Sequence, residues 1–195
     1  NSNQGTADSP WQTLQKAADM VVAGDTVYLR GGTHYQNGAP RLIFRCSGTR
    51  SRPILFRSYP GEKAVIDGGL YTTQPQPPLP YTHHPSAATA DRDFYHDTII
   101  VAGSFLVFDS LEIANGRNYL FHVYSGSYNV VRNCLFHHSI IQDFVKVSGH
   151  NFILENCEFY NAPKGNFNCF DSVFGQGALI RNNNVHDVGS DQAFM

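Results

Sequence analysis

The sequence predicts an all-β parallel solenoid entered through one short helix. Three observations predict it. Four segments repeat without forcing: "SFLVFDSLEIANG" from Ser104, "SYNVVRNCLFHHS" from Ser127, "HNFILENCEFYNA" from His150 and "QGALIRNNNVHDV" from Gln176, at offsets of 23, 23 and 26 residues. The columns of this alignment keep one chemical character from repeat to repeat. No helical period runs through them. A repeat of this length holding two or three short β segments cannot bury its apolar side alone, so successive copies stack as coils.

The columns supply the physics of the stack. Val107, Val130, Ile153 and Leu179 form one apolar column, Phe108, Val131, Leu154 and Ile180 a second, and Ile113, Phe136, Phe159 and Val185 a third. Asp109, Arg132, Glu155 and Arg181 alternate in sign. Stacked, they make a ladder of opposite charges on an outer face, each pair worth about 0.2–1 kcal/mol. Ser110 is followed in its column by Asn133, Asn156 and Asn182. Asn tolerates a left-handed turn and offers both a donor and an acceptor to its neighbours. Each repeat continues into a further strand: "LFHVYSG", "DFVKVSG", "CFDSVFG" and "QAFM". The four cysteines, Cys46, Cys134, Cys157 and Cys169, include no CxxC pair, so they read as reduced core residues. Cys134 and Cys157 become neighbours at the strand spacing of about 4.8 Å. Their parallel side chains favour stacked thiols over a bond.

The N-terminal half agrees in a less regular way. "SPWQTLQKAADMV" offers Ser9 as N-cap, Pro10 at the first helical position, and Trp11, Leu14, Ala17, Ala18 and Val21 in helical spacing. A helix here covers the open end of the first coil and its unpaired edge. "AGDTVYLRGGTH" is a turn and a strand; "RLIFRC", "RPILFRSYPG" and "KAVIDGG" are further strands. The expected organisation is one domain over 1–195: a cap segment at 1–25, first coils at 26–70, a Pro-rich inserted loop at 71–96 and regular coils at 97–195. The sequence stops at "SDQAFM", inside a coil by this register, which predicts that the chain continues.

Composition removes several classes. Formal net charge is -2 and charged residues make up 15%, against the basic face of a nucleic-acid binder. No apolar run approaches the roughly 18–20 residues of a membrane span. No signal peptide is visible in the polar first residues, which leaves secretion open.

The order "SPWQTLQKAADMVVAGDTVYLRGGTH", then "SGTRSRPILFRSYPGEKAVIDGG", then N-C-x-F coils resembles the pectate-lyase-like right-handed parallel β-helix proteins. It is most similar to the branch of polysaccharide lyase families 6 and 9 and their secreted relatives. The resemblance covers nearly the whole chain, and its motifs are architectural rather than catalytic. It implies a right-handed parallel β-helix and an extracellular carbohydrate-active enzyme, foremost a lyase on an acidic polysaccharide, often with Ca2+. In such lyases a lysine or arginine often serves as base. The motifs of polygalacturonases (NTD, DD, GHG, RIK) and of family 1 pectate lyases (WIDH, RxPxxR) are absent.

The candidate site comes from "DFVKVSG". Val145 and Val147 face one way on a strand and Lys146 the other. The equivalent strands put His122, Lys146 and Asp171 in one outward column on three coils. β-Elimination at a uronate needs a base at C5, a positive group on the carboxylate and an acid at the leaving oxygen. Lys146 is the candidate base, provided its pKa falls through burial or a nearby cation. His122 is the acid or a binding group. Asp171, Tyr124 and Arg117 are candidate substrate contacts. Asp143, Asp171 and Asp191 are candidate oxygen ligands for Ca2+. The bland reading of Lys146 is a surface bridge to Asp171, worth about 0–1 kcal/mol. His137 with His138 as a metal pair requires a turn there, because adjacent strand residues point apart. His186 and Asp187 read first as a turn ladder. Two other functions stay open: a glycoside hydrolase or epimerase, with Asp171 and Asp191 as a carboxyl pair, and a non-catalytic glycan-binding β-helix, with Tyr119, Tyr124 and the loop 71–96 to supply stacking.

Overall fold

The computed structural model describes residues 2–35, 42–69, 97–116, 118–139, 143–161, 169–172 and 174–188. The Pro-rich segment 71–96, Arg117 and Asp191 lie outside them.

Three parallel sheets run along the stack, and each coil contributes one strand to each, except that among the described residues the last coil has strands in only two of them. Sheet A holds β1 (Thr26–Leu29), β4 (Ile54–Ser58), β7 (Leu106–Asp109), β10 (Val130–Arg132), β13 (Ile153–Glu155) and β16 (Leu179–Arg181), in that order. Sheet B holds β2 (Gly32–Tyr35), β5 (Ala64–Asp67), β8 (Glu112–Ala114), β11 (Leu135–His137), β14 (Glu158–Tyr160) and β17 (Asn184–Val185). Sheet C holds β3 (Leu42–Phe44), β6 (Ile99–Val101), β9 (Phe121–Val123), β12 (Val145–Val147) and β15 (Phe170–Ser172). The observed pairings reproduce the predicted register: Val130 lies beside Val107 and Ile153, Phe136 beside Ile113 and Phe159, and Arg132 beside Asp109 and Glu155.

The core lies between the sheets. Phe108, Val131 and Leu154 are fully buried, as are Ile113, Phe136 and Phe159. Inside, aromatic rings stack at the coil spacing, Phe136 on Phe159 at 5.0 Å and Phe56 on Phe108 at 5.4 Å. The Val107, Val130, Ile153 column differs from the inner two. It faces outward and is half-buried, ending at exposed Leu179. Strand alternation requires this, since Phe108 beside Val107 points in.

The A-to-B corner is the tightest. In the last four coils it is two residues long, and its first residue, Ser110, Asn133, Asn156 or Asn182, has φ of 57°, 54°, 54° and 54°. These are left-handed values that Asn adopts at little cost. Asn133 Nδ2 donates to Asp109 Oδ1 of the coil below at 2.9 Å. The charge ladder forms beside it, Arg132 to Asp109 at 3.1 Å and Arg181 to Glu155 at 2.6 Å. Asp109 is buried rather than on an open face, because Arg57, Arg132, Ser110 and Asn133 surround it.

The C-to-A corner uses glycine for a different reason. Gly103, Gly126, Gly149 and Gly175 stack so closely that a Cβ on Gly126 would lie 2.1 Å from the Gly103 carbonyl oxygen, and one on Gly149 2.1 Å from that of Gly126. Buried Asn129 ties this corner together: its Nδ2 donates to Gly103 O and its Oδ1 accepts from Leu106 N, both at 2.9 Å. The B-to-C connections vary most in length, and the C-to-A spans vary less, from 102–105 to 45–53. The B-to-C spans are 36–41, 68–98, 115–120, 138–144 and 161–169.

The helix α1 (Leu14–Met20) buries Leu14, Ala17 and Ala18. Its N-cap is Thr13, not Ser9, with Oγ1 accepting from Lys16 N at 3.3 Å. Ser9 is taken by an earlier turn, where its N–H bonds Thr6 O and Thr6 Oγ1 and its carbonyl accepts from Gly5 N. The helix covers a sheet edge through one side chain. Gln15 Nε2 donates to Ile43 O at 2.9 Å and Gln15 Oε1 accepts from Ile43 N at 2.8 Å, so the amide stands in for a missing strand beside β3.

All four cysteines are free. Cys134 and Cys157 stack on adjacent coils, and burial raises the Cys134 thiol well above its ordinary pKa. Burial likewise pushes Cys169 up to about 12. Cys134 and Cys169 are thus unreactive core thiols, whereas the contact with Cys134 lowers the Cys157 thiol.

Candidate functional site

Sheet C builds the site. Lys146 of β12 pairs in register with His122 of β9 and with Asp171 of β15, so the three share one column on successive coils. Val145 and Val147 point into the core and are fully buried. The column faces away from the core, but it is not open to water along its length. His122 is 2% exposed, while the Lys146 and Asp171 side chains keep 22% and 20%.

Residues just before the sheet C strands produce that burial. Asp97 precedes β6 and is itself buried; its Oδ2 lies 2.8 Å from His122 Nδ1, and Asn118 Nδ2 donates to its Oδ1. Burial raises the Asp97 pKa, against the opposing pull of His122 and Asn118. A carboxylate behind one ring nitrogen fixes the ring's orientation and favours the proton on that nitrogen. The His122 ring stands between two tyrosines, Tyr119 at 5.1 Å and Tyr124 at 5.8 Å between centroids. Tyr124 is 52% exposed and forms the outer wall.

Lys146 is held by two partners. Its Nζ donates to Tyr119 Oη at 3.0 Å and lies 3.5 Å from Asp171 Oδ2. The bridge read as the bland alternative therefore forms, and a tyrosine joins it. Burial, the largest influence, lowers the Lys146 pKa, but Tyr119, Asp171 and Asp143 outweigh it and hold it above the ordinary lysine value. The depression required of a lysine base is not present in this state. Tyr119 moves the same way, raised chiefly by burial.

Asp143 is buried at the start of the β12 segment, on the same side as Tyr119, and contributes to the fields at both Lys146 and Cys169. Asp171 pairs with the Lys146 ammonium, and Asp143 adds to the field there. A divalent cation on Asp171 would meet that ammonium, so this arrangement by itself does not fit Ca2+. Among the described residues no three His, Cys, Asp or Glu side chains are grouped to hold a metal ion. Asp191, the third carboxylate named from the sequence, and Arg117 lie outside the described residues.

Two side chains here carried no repeat signal. The sequence offers Tyr119 only as a stacking ring and does not mark Asp97; the signal for both is an acidic or aromatic residue two places ahead of a sheet C strand, as at Asp97, Tyr119 and Asp143. A second polar cluster lies on sheet B. His138 has φ of 57°, so the chain turns there and the two histidines meet, Nδ1 to Nδ1 at 2.6 Å. Glu112 Oε1 holds His137 Nε2 at 2.9 Å, and Tyr160 stacks between His137 and His186 at 4.9 and 5.4 Å. His186 bonds Glu158 at 2.8 Å and Asp187 at 2.9 Å, a turn ladder as the sequence indicated.

Comparison with known proteins gives one pattern. Residues 1–178 match the family described as "Pel9A-like, right handed beta helix region". The pectate lyase PEL9 of Emericella nidulans is 38% identical over 112 residues, covering 57% of this chain and 25% of that protein. The uncharacterised protein YwoF of Bacillus subtilis is 40% identical over 68 residues, 35% of this chain and 14% of that one. Among solved structures, pectate lyase Pel9A superposes with a TM-score of 0.66 at 19% identity, over 91% of this chain and 44% of that one. A rhamnogalacturonan lyase gives 0.66 at 20%, over 94% and 48%. The two solved structures establish the fold alone. The chain spans about a quarter or less of the length of the sequence relatives and under half of the structural ones.

Proposed function

Because this chain belongs to the Pel9A-like right-handed β-helix family, we propose that it forms part of a polysaccharide lyase that cleaves a uronate-containing polymer by β-elimination on the sheet C face. The observation that carries the reading is the column of His122, Lys146 and Asp171, with Lys146 half-buried between Tyr119 and Asp171. The pectate and rhamnogalacturonan lyases named above support an acidic polymer as substrate.

In the elimination, the C5–H bond electrons become the C4=C5 double bond, the C4–O4 bond breaks, and O4 leaves with a proton. A cation on the carboxylate makes the C5 proton acidic enough to remove. The raised Lys146 pKa supports this role for the ammonium, in place of the base role, with substrate carboxylate replacing Asp171 as its partner. Asp97 on His122 Nδ1 supports His122 as the proton-transfer group: the lone pair on its Nε2 takes the C5 proton, and the same nitrogen returns a proton to O4 as the C4–O4 bond breaks.

The test follows ultraviolet absorbance of unsaturated ends on polygalacturonate and rhamnogalacturonan, with calcium or with chelator. Lys146→Ala and His122→Ala are each expected to lower the rate by about 10²-fold or more. Unchanged rates in both variants would remove the sheet C face from the chemistry. No absorbance on either polymer would remove the lyase reading. Binding without cleavage would favour the glycan-binding alternative, which the existing Lys146–Asp171 pair supports.

A further inference from the structure

The C-to-A corner carries aromatic residues where the backbone resists them. Phe105, Tyr128, Asn151 and Gly177 occupy one position on four successive coils, and all four have left-handed φ, at 56°, 60°, 53° and 73°. Asn and Gly adopt this conformation readily, whereas a bulky aromatic there is an outlier with a real cost. Two coils bear that cost at adjacent steps. The result is a parallel stack, Phe105 beneath Tyr128 with centroids 4.9 Å apart and planes 7° from each other.

The stack is not core packing. Tyr128 is 48% exposed. Two more aromatics in C-to-A connections are exposed with it, Tyr124 at 52% and Phe174 at 77%. Tyr124 also touches the His122 ring, so this edge is continuous with the sheet C site. The turn "YSGSY", Tyr124 to Tyr128, joins the two, and hydrogen bonds pin it: Ser127 N donates to Ser104 Oγ at 3.0 Å, and Tyr128 N to His150 O at 2.9 Å.

We propose that this edge is a stacking shelf for pyranose rings of the polymer, with Tyr128 backed by Phe105 as its fixed plate and Tyr124 linking it to the sheet C column. This rests on the reading that the protein binds a uronate polymer, and it adds where neighbouring sugars lie. The C–H face of a pyranose is apolar and carries partial positive charge, which suits the negative face of an aromatic ring. The phenol hydroxyl offers a polar handle at the rim. A ring already held by its neighbour and by a fixed turn loses little freedom on binding.

The test is affinity electrophoresis of the protein in gels containing polygalacturonate, alongside thermal melting. Tyr128→Asn installs the residue that the next coil uses at this position. It is expected to weaken retention about tenfold, a loss of roughly 1.4 kcal/mol, while the melting temperature holds or rises as backbone strain is relieved. Tyr128→Phe is expected to keep most of the retention. Unchanged retention in Tyr128→Asn overturns the shelf and leaves the proposed function standing. A fall in melting temperature together with retention also overturns it, because the ring is then a packing element. A protein retained neither by polygalacturonate nor, in parallel gels, by rhamnogalacturonan overturns both.

Discussion

Gly149→Ala tests what sets the coil spacing. Gly149 ends the strand segment that carries Lys146, and its position needs no left-handed backbone. An added Cβ would stand 2.1 Å from Gly126 O and 3.0 Å from a methyl of Val123. Ordinary contacts begin about 1 Å farther out. The strand must therefore lift away from the coil below, and the bond from His150 N to Gly126 O, already 3.3 Å, is lost first. Overpacking of this kind costs about 1–3 kcal/mol, and the broken backbone bond adds roughly 1 kcal/mol. The expected total is about 2–4 kcal/mol, read as a drop in urea midpoint at unchanged slope. The control is Gly61→Ala, where φ is 79° and nothing lies within 4 Å of the new Cβ. There the cost is conformational only, about 1 kcal/mol. If Gly149→Ala costs no more than Gly61→Ala, close approach of the glycine column does not set the spacing, and the argument fails.

Three other outcomes follow from the same geometry. Asp97→Asn presents an NH2 group to either His122 or Asn118, whichever way the amide turns; about 1–3 kcal/mol of stability should be lost in denaturant melts, and an unchanged midpoint would contradict the buried pairing. Val147→Asp places a charge at a fully buried position and should unfold the region, whereas Lys146→Met should leave the circular dichroism spectrum intact; equal tolerance would reverse the inward and outward assignment. Asp109 is pushed up by burial but pulled down further by Asn133, Ser110 and Arg132. Its folded pKa lies below the ordinary 3.8, so its stabilisation is present above that value and lost as pH falls through the depressed one. Asp109→Asn should melt lower near neutrality and lose less on acidification, and parallel pH profiles for the two proteins would refute this.

The repeat columns made the fold legible because each coil restates the same constraint. One aligned column fixes a register, and a strand register fixes every side chain's face. That reasoning reached His122, Lys146 and Asp171 as one column. It did not reach Asp97, which lies ahead of the first aligned repeat, and it offered Tyr119 only as a stacking ring, although Asp97 holds His122 and Tyr119 holds Lys146. His137 and His138 were misplaced for a related reason. A single left-handed residue at His138 swings one ring onto the other, and a histidine carries no sequence mark for that backbone. Thr13 displaced Ser9 as cap because Ser9 had a nearer turn to complete. The Phe105–Tyr128 stack was hidden because Tyr128 stands where the next coil has Asn151.

The connections of this stack do not vary alike. In the last four coils every A-to-B corner has two residues, while the B-to-C spans range from 115–120 to 161–169 and include 68–98. The C-to-A spans differ too, from 102–105 to 45–53, so length change is absorbed at two corners and, in those coils, held out of the third. Of the two, the B-to-C connections supply the side chains that meet the column, Asp97 at His122 and Tyr119 at Lys146. The scaffold separates inheritance from innovation. A change in those connections alters what surrounds the column while the strands keep their pairing, whereas the asparagine corners hold one length. Divergence among relatives should be richest in the B-to-C connections and least at the asparagine corners.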